Sequence, residues 1–281
     1  TLFPYTTLFR SFYSGAECFL KDFLSSLKEQ SYKEFDLIIV NDGFEVGEFE
    51  NLLCNLNVVE IKFSSTVSKN REYGLNYIKR AGYKYLILCD VDDFFSRKRV
   101  EISLNMLREF DVVVNDVDIV SNRNEILINN YFSRSLNSST NIDLHFIKEK
   151  NLLGFSNTAI KTDLFDSINF PTNLEIVDWY FFTIILKKEP KVGFIHQALT
   201  YYRQHSNNLI GIGDYPIEFF KKMLDLKISH YSYLSDIDLD YKSLYIQYLD
   251  MKRKSDMDII MGIDKNKKIN KYPLWWENIK L

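Results

Sequence analysis

The chain has 281 residues, 46% hydrophobic and 26% charged, a globular balance that excludes a disordered or collagen-like polypeptide and suits one large domain or a domain with an appendage. A formal net charge of −3 supplies no bulk attraction for nucleic acid, so no nucleic-acid partner is expected. No apolar run approaches the roughly 18 residues of a membrane span; the longest dense one is WYFFTIIL at 179–186. The cysteines, Cys18, Cys54 and Cys89, lie in or beside apolar runs without metal-ligand spacing, so buried free thiols are expected, in keeping with a reducing cytoplasm.

The opening segment TLFPYTTLFR (1–10) has no clear period, although an α/β domain should place its first strand here. It resembles a translated sequencing-adaptor fragment at the end of an assembled read. The expectation is that part of it is not native, while Thr6 to Phe9 can still supply a makeshift strand. Phe19, Leu20, Phe23, Leu24 and Leu27 then follow helical spacing over 19–28. FDLIIV (35–40) is a short, β-branched apolar run that predicts a buried strand, and it ends in the turn signal Asn41-Asp42-Gly43. Residues 68–80 carry Arg71, Leu75 and Ile78 in a helical pattern, and YKYLILC (83–89) predicts the next strand. Ser96 is positioned to cap a helix over 97–109, and DVVVNDVDIV (111–120) predicts another strand. This alternation predicts an α/β sheet with parallel crossovers.

Beyond residue 120 the order loosens. The stretch 121–150 is Asn- and Ser-rich, with a short helix predicted near 142–149. Residues 154–165 predict a strand leading into a helix, 177–188 a helix, and VGFI and ALTYYR a strand pair. From Tyr215 to about 254 the pattern is helical with a polar break near 235–240, and the tail carries YPLWW at 272–276.

The chemistry gathers at two strand ends. In YLILCDVDDFF (85–95), an apolar run leads straight into Asp90, Asp92 and Asp93. Three adjacent carboxylates repel one another in a low-dielectric setting, and a cation or a hydrogen-bonding ligand would relieve them. A solvated turn with an Asp helix cap explains the same residues. The second acidic turn, at Asp42, also follows a predicted buried strand, and ligands of open parallel sheets bind outside the carboxyl ends of the strands. Two such turns favour the ligand reading over the capped turn. Arg71, near the start of its helix, can reach the same edge, where a guanidinium suits phosphate or a planar base.

Four segments in this order resemble the family 2 glycosyltransferases. Residues 19–43 match that family's opening helix and Asp-Gly turn, and 68–93 its Arg-containing helix and Asp-x-Asp strand end. VDWYFFTIIL (177–186) matches an acidic residue followed by an aromatic, and YYRQHSNN (201–208) the closing segment. The resemblance covers residues 12 to about 210. It departs from the family at Asn41, where Asp is usual, and at Phe44, where Ser is usual.

The resemblance implies an α/β fold of GT-A type, a mostly parallel sheet flanked by helices in residues 1–212, with a C-terminal helical extension over 213–281. It implies an inverting enzyme that moves a sugar from a nucleotide-diphosphate sugar, a UDP-sugar, to a hydroxyl of a saccharide, lipid-linked or protein acceptor. The expected setting is bacterial cell-surface polysaccharide or glycoconjugate synthesis in the cytoplasm, at the inner face of the membrane. It further implies that Asp42 accepts a hydrogen bond from the donor base, that Tyr13 (or Ser14, one residue on) lines the base pocket, and that Arg71 contacts base or diphosphate. Asp90 would touch ribose or sugar, Asp92 would ligate Mg²⁺ or Mn²⁺, oxygen ligands suiting both, and Asp93 would assist. Asp178 is the implied catalytic base, with Glu175 as the nearest alternative. Arg203 and His205 are candidates near the diphosphate or metal; Asp178 as a simple helix N-terminal acid and His205 as a packed histidine are the competing explanations.

Two further readings remain. A nucleotidyltransferase on a similar sheet would carry a basic, Gly-rich first turn, and Ser11 to Gly15 has neither Lys nor Arg. A non-catalytic sugar-nucleotide-binding module would bind nucleotide without turning a donor over. Residues 215–281 are expected to form a helical appendage that packs on the domain or helps shape the acceptor side; its Lys residues with Trp275 and Trp276 suit a peripheral contact with a membrane surface or partner, or else a packed helix with a solvated charged face.

Overall fold

A computed structural model describes residues 6–13, 15–44, 47, 50–137, 139–205, 216–261 and 271–278. In chain order the first half runs β1 (Thr6–Tyr13), α1 (Glu17–Lys28), β2 (Asp36–Asp42), α2 (Glu50–Leu53), β3 (Asn57–Lys62), α3 (Val67–Arg80), β4 (Tyr85–Leu88), β5 (Phe94–Phe95), α4 (Arg99–Met106) and β6 (Val112–Val120). The second half adds β7 (Ile126–Ile128), β8 (Thr158–Lys161), α5 (Val177–Leu186), β9 (Val192–Arg203), α6 (Ile217–Leu234) and α7 (Leu239–Lys252).

One sheet organises the molecule, in the order β3-β2-β1-β4-β8-β6-β9-β5, with β7 beside β6. The β3-β2-β1-β4 portion is wholly parallel, and β8 then runs antiparallel to both β4 and β6. Both faces are covered, so the central strands are apolar on both sides rather than amphipathic. Leu8, Phe12, Leu37, Ile39 and Ile87 point to the layer containing Leu20, Phe23, Leu24 and Leu27 of α1. Their neighbours Phe9, Ile38, Val40, Leu86 and Leu88 point to the opposite layer with Leu75 and Ile78 of α3, as the two-residue strand period requires. Helix α3 can lie close because Gly74 has no side chain: a Cβ there would sit 2.1 Å from the buried Phe9 ring.

The chain order leaves β1 with β2 on one side and β4 on the other. Successive crossovers therefore diverge at β1, which opens a crevice at the strands' carboxyl ends. Tyr13, Asp42 and the residues after Leu88 all emerge there.

Several sequence expectations are corrected. Strands β3, β5 and β7 were not expected: β3 is a half-exposed edge, and the other two are very short. Ser96 does not cap α4 with its side chain; its Oγ is buried without a partner. Gln30, distant in sequence, does so instead, accepting from the Val100 N–H at 3.0 Å and donating to the Ser96 carbonyl at 2.8 Å. The helix expected near 142–149 is reduced to turns, in which Asp143 accepts from the Phe146 N–H at 2.8 Å. The chain then extends so that Asn151 pairs with Trp275. The helix expected after β8 is a single 3-10 turn, Thr162–Leu164. VGFI and ALTYYR are one continuous strand, β9, whose register against β6 slips opposite Asn115–Val117. The break in pattern at His196 and Gln197 is that irregularity, not a turn.

Of the cysteines, Cys89 is buried, but Cys18 and Cys54 are exposed. The C-terminal helices share the core under α5, with Trp179, Tyr231, Tyr248, Leu274, Trp275 and Trp276 in one cluster. Trp275 and Trp276 are 6% and 3% exposed, so neither is presented to a membrane surface. Among the described residues, no helix is long and apolar enough to cross a membrane.

Candidate active site

The crevice is a cleft of about 750 Å³ lined by residues from both halves of the chain, including Tyr13, Asp42, Arg71, Asp90, Asp92, Glu175 and Asp178. Asp42 is the last residue of β2. Gly43, at φ +74°, makes the turn that an L side chain would strain. Asn41 faces inward and closes this turn: its Oδ1 accepts from the Phe44 N–H at 2.7 Å and its Nδ2 donates to the Phe44 carbonyl at 2.8 Å. The Asn at this position is thus a turn fastener, and Asp42 alone faces the cleft. Asn70, on the first turn of α3, donates to Asp42 Oδ2 at 2.7 Å. Asn70 Oδ1 and Ser11 Oγ are buried at the same edge without protein partners, as atoms do where a polar ligand completes the site.

Asp90 sits between two cations. Arg10 pairs with its Oδ1, and Arg71 Nη2 lies 3.4 Å from the same oxygen. Burial alone would lower the Arg10 pKa, but Asp90 and Asp92 outweigh it and hold the guanidinium above its ordinary value. The Arg71 guanidinium lies 4.7 Å from the centre of the Phe155 ring. Tyr13 is 37% exposed at the cleft mouth, and burial of its remaining surface raises its phenol. Ser14 lies outside the described residues.

Asp90, Asp92 and Asp93 each bring a carboxylate oxygen within 4.8 Å of the others, but their settings differ. Burial pushes Asp92 up; the hydrogen bond to His205 and the charge of Arg10 outweigh this and hold it below the ordinary carboxylate value. His205 Nε2 is 3.0 Å from Asp92 Oδ2, and its ring rests on Phe19 with centroids 5.1 Å apart. Asp93 is 1% exposed and turned away from the cleft. It accepts from the Ser156 hydroxyl and from the Arg203 N–H at 2.8 Å. Burial and the charge of Asp92 push it well up. The Arg203 side chain also leaves the cleft: it pairs with Asp22 of α1 at 2.8 Å and packs over Phe19 and Phe94. Arg203 therefore approaches the triad through its backbone only.

Asp178 lines the same cleft, in the first turn of α5. Its Oδ1 accepts from the Trp179 N–H at 2.8 Å, while Ile176, with no side-chain cap, is the residue that opens the helix. Burial pushes the Asp178 carboxyl up to about 6, with Arg71 opposing. Glu175 is exposed at the rim. Residues that sequence reasoning missed are Asn70, Ser156 and the cleft-lining Tyr202, Trp275 and Trp276. Asn70 lies within the quoted Arg71 helix, so its placement one residue before Arg71 was the available signal; Trp275 and Trp276 offered none, being about a hundred positions from Asp178.

Three comparisons bear on this arrangement. The family described as Glycosyl transferase family 2 matches residues 11–208. A relative from Haemophilus influenzae described as an uncharacterized glycosyltransferase is 24% identical over 201 residues, 67% of this chain and 75% of that protein. Among solved structures, S. aureus TarS 1-349 in complex with UDP-GlcNAc aligns with a TM-score of 0.59 at 18% identity, covering 87% of this chain and 71% of that one. The same fragment in complex with UDP aligns with a TM-score of 0.59 at 17% identity over 87% and 70%. The structural likeness carries the fold, a central sheet flanked by helices of GT-A type, and the family match spans most of the chain: this protein belongs to glycosyl transferase family 2.

Proposed function

We propose that the chain transfers a sugar with inversion from a UDP-sugar to a hydroxyl acceptor, with Asp178 as the base. The observation that carries this reading is the convergence of Asp42, Arg71, Asp90 and Asp92 on a single cleft that the raised carboxyl of Asp178 also lines. The S. aureus TarS structures, in complex with UDP-GlcNAc and with UDP, support a nucleotide-sugar donor. Asp42, steadied by Asn70, accepts from the base, Tyr13 borders it, and Arg71 offsets diphosphate charge. The acceptor oxygen attacks the anomeric carbon from the face opposite the diphosphate, its proton passes to Asp178, and the bonding pair of the breaking C–O bond stays on the departing diphosphate. Asp178 suits this task because its pKa sits close to working pH, where a base is most effective.

The donor set near Asp92 fits a divalent cation. It is built of oxygens with one imidazole; burial and then the charge of Asp92 drive Asp93 upward, and a cation would relieve the second of these. Asp92 would hold the ion, with Asp90 and His205 beside it. When bound, Mg²⁺ or Mn²⁺ supplies charge stabilisation to the leaving diphosphate. Residues 1–212 form the transferase unit in this proposal, with 213–281 as its helical extension. A sugar-nucleotide donor places the reaction in the cytoplasm, serving cell-surface polysaccharide or glycoconjugate synthesis.

The test is a thermal-shift panel of UDP and UDP-sugars with Mn²⁺ or with EDTA. At about 100 times its Kd, a ligand stabilises the fold by about 2.7 kcal/mol. Absence of any shift with uridine nucleotides rejects the donor assignment, and a shift without transfer or donor hydrolysis rejects catalysis in favour of a binding module. Asp42→Ala is expected to weaken UDP by about 1–3 kcal/mol equally with and without metal, because it removes a buried acceptor from the base pocket. Calorimetric titration showing unchanged affinity would take Asp42 out of that pocket.

A further inference from the structure

Two chemically distinct sets of residues line the cleft. Asp42, Asn70, Arg71, Asp90 and Asp92 are polar or charged. Leu174, Ile176, Tyr202, Trp275 and Trp276 are apolar or aromatic; Ile176 opens the helix that carries Asp178, and Trp276 stacks on Trp179, the residue after it. The two tryptophans arrive from the segment 271–278, which is fastened to the core by several hydrogen bonds. Asn151 donates its N–H to the Trp275 carbonyl at 2.8 Å, and the Tyr131 hydroxyl donates to the Pro273 carbonyl at 2.7 Å. Lys227, fully buried, donates to the Trp276 carbonyl at 3.1 Å and to the Glu149 carbonyl at 2.9 Å.

Trp276 is held at φ +70°, a conformation that costs a bulky residue energy and persists only where the surroundings impose it. Its ring stacks on Trp179, next to Asp178, with centroids 6.0 Å apart. Trp275 lies between Tyr131, at 5.4 Å, and Tyr202, at 5.1 Å. A strained residue clasped by a buried ammonium marks a wall whose position matters.

Charge completes the argument. Among the described residues lining the cleft, the basic side chains are Arg10 and Arg71, and both engage Asp90 on the donor side. Around Asp178 the carboxylates are its own and that of Glu175 at the rim, and the cation that acts on Asp178, Arg71, is already paired with Asp90. A phosphate-bearing acceptor would meet like charge there and, among the described lining residues, no cation that is not already paired with Asp90. A neutral sugar would offer C–H groups to the apolar wall and one hydroxyl to Asp178, the pattern of an apolar pocket with a few orienting polar groups.

We infer that the tail residues Trp275 and Trp276, positioned by Lys227, form an acceptor subsite that selects an uncharged saccharide over a phosphorylated acceptor. This rests on Asp178 marking the acceptor side. All three tryptophans of the chain border the subsite, so their emission reports on it directly. With the full-length protein saturated with UDP and Mg²⁺, titration with neutral glycans (methyl glycosides, disaccharides) is expected to change tryptophan emission saturably. Titration with sn-glycerol 3-phosphate and hexose 6-phosphates is expected to leave it unchanged.

Trp276→Leu and Lys227→Met should each raise the acceptor Kd or KM on the order of tenfold, the loss of one well-packed apolar contact, while keeping the UDP-dependent thermal shift. Trp276→Phe should restore most of the affinity and serves where Trp276→Leu does not fold. No emission change with any neutral glycan, tighter binding of the phosphorylated probes, or an acceptor affinity unmoved in a folded Trp276 variant each overturns the inference. Loss of the UDP shift in the unsubstituted protein would instead reject the donor reading, so the two failures are told apart.

Discussion

Asp178→Asn is expected to lower sugar transfer by about 10²–10⁴-fold, the range for removing a positioned general base, and to leave metal-dependent UDP binding intact. The separation follows from partners: Asp178 belongs to α5 and accepts from the Trp179 N–H, whereas Asp42 is held by Asn70 and Asp92 by His205. The variant should also fold at least as well as the parent. Burial raises the Asp178 carboxyl from 3.8 to about 6, so the folded state disfavours its ionised form. That penalty is absent below about pH 4, grows as pH rises through about 6, and persists above it. The amide carries no such penalty and its oxygen can still accept from the Trp179 N–H. A gain of on the order of 1 kcal/mol at pH 7.5 is expected after allowance for the open cleft, with none at pH 3.5.

The unsubstituted enzyme should lose activity as pH falls through about 6, because the base must be ionised. A helix-capping Asp would behave in the opposite way, with lower stability on substitution and near-normal turnover of the folded fraction. Rate–pH profiles and melting curves of Asp178→Asn beside Glu175→Gln decide this. If Glu175→Gln abolishes transfer and Asp178→Asn does not, the base is Glu175.

Asp92→Ala should erase the difference between UDP binding in Mn²⁺ and in EDTA, and transfer should fall by at least about 10²-fold, as when one electrostatic stabiliser of a developing charge is removed. Asp92 faces the cleft, whereas Asp93 is buried against Ser156 and the Arg203 backbone. Asp93→Asn should accordingly leave metal-dependent UDP binding intact and cost little stability at neutral pH, since the fold already disfavours the ionised Asp93 carboxyl and the amide oxygen can still accept from the Arg203 N–H and the Ser156 hydroxyl. Calorimetry of UDP binding with each metal separates the two residues: equal UDP affinity in Mn²⁺ and EDTA for the unsubstituted protein would falsify the metal role of Asp92.

The acidic strand ends were legible because their signals are local. A four- to seven-residue apolar run can only be a buried strand in this context, and Asn41-Asp42-Gly43 can only turn. The Arg71 helix was legible for the same reason, through Leu75 and Ile78 on one face. The break in β9 was misread because a bulge and a turn interrupt periodicity alike. Edge strand β3 escaped because its residues are half-exposed and make no clean pattern.

By itself, then, the sequence determined that buried strands end in carboxylates at Asp42 and Asp90–Asp93, that an Arg-bearing helix lies between them, and that an acidic residue opens a later aromatic helix. Those features are written in neighbouring residues. Only the tertiary structure decided that Asp92 faces the cleft while Asp93 faces the core, that the Arg203 side chain turns to Asp22, and that Asn70 steadies Asp42. It alone brought Trp275 and Trp276 to the cleft. Each of these depends on contacts between distant segments, such as Lys227 with the Trp276 carbonyl or Arg203 with Asp22. Side-chain direction at such points is set by the summed packing of several elements, for which no window of adjacent residues carries a signal.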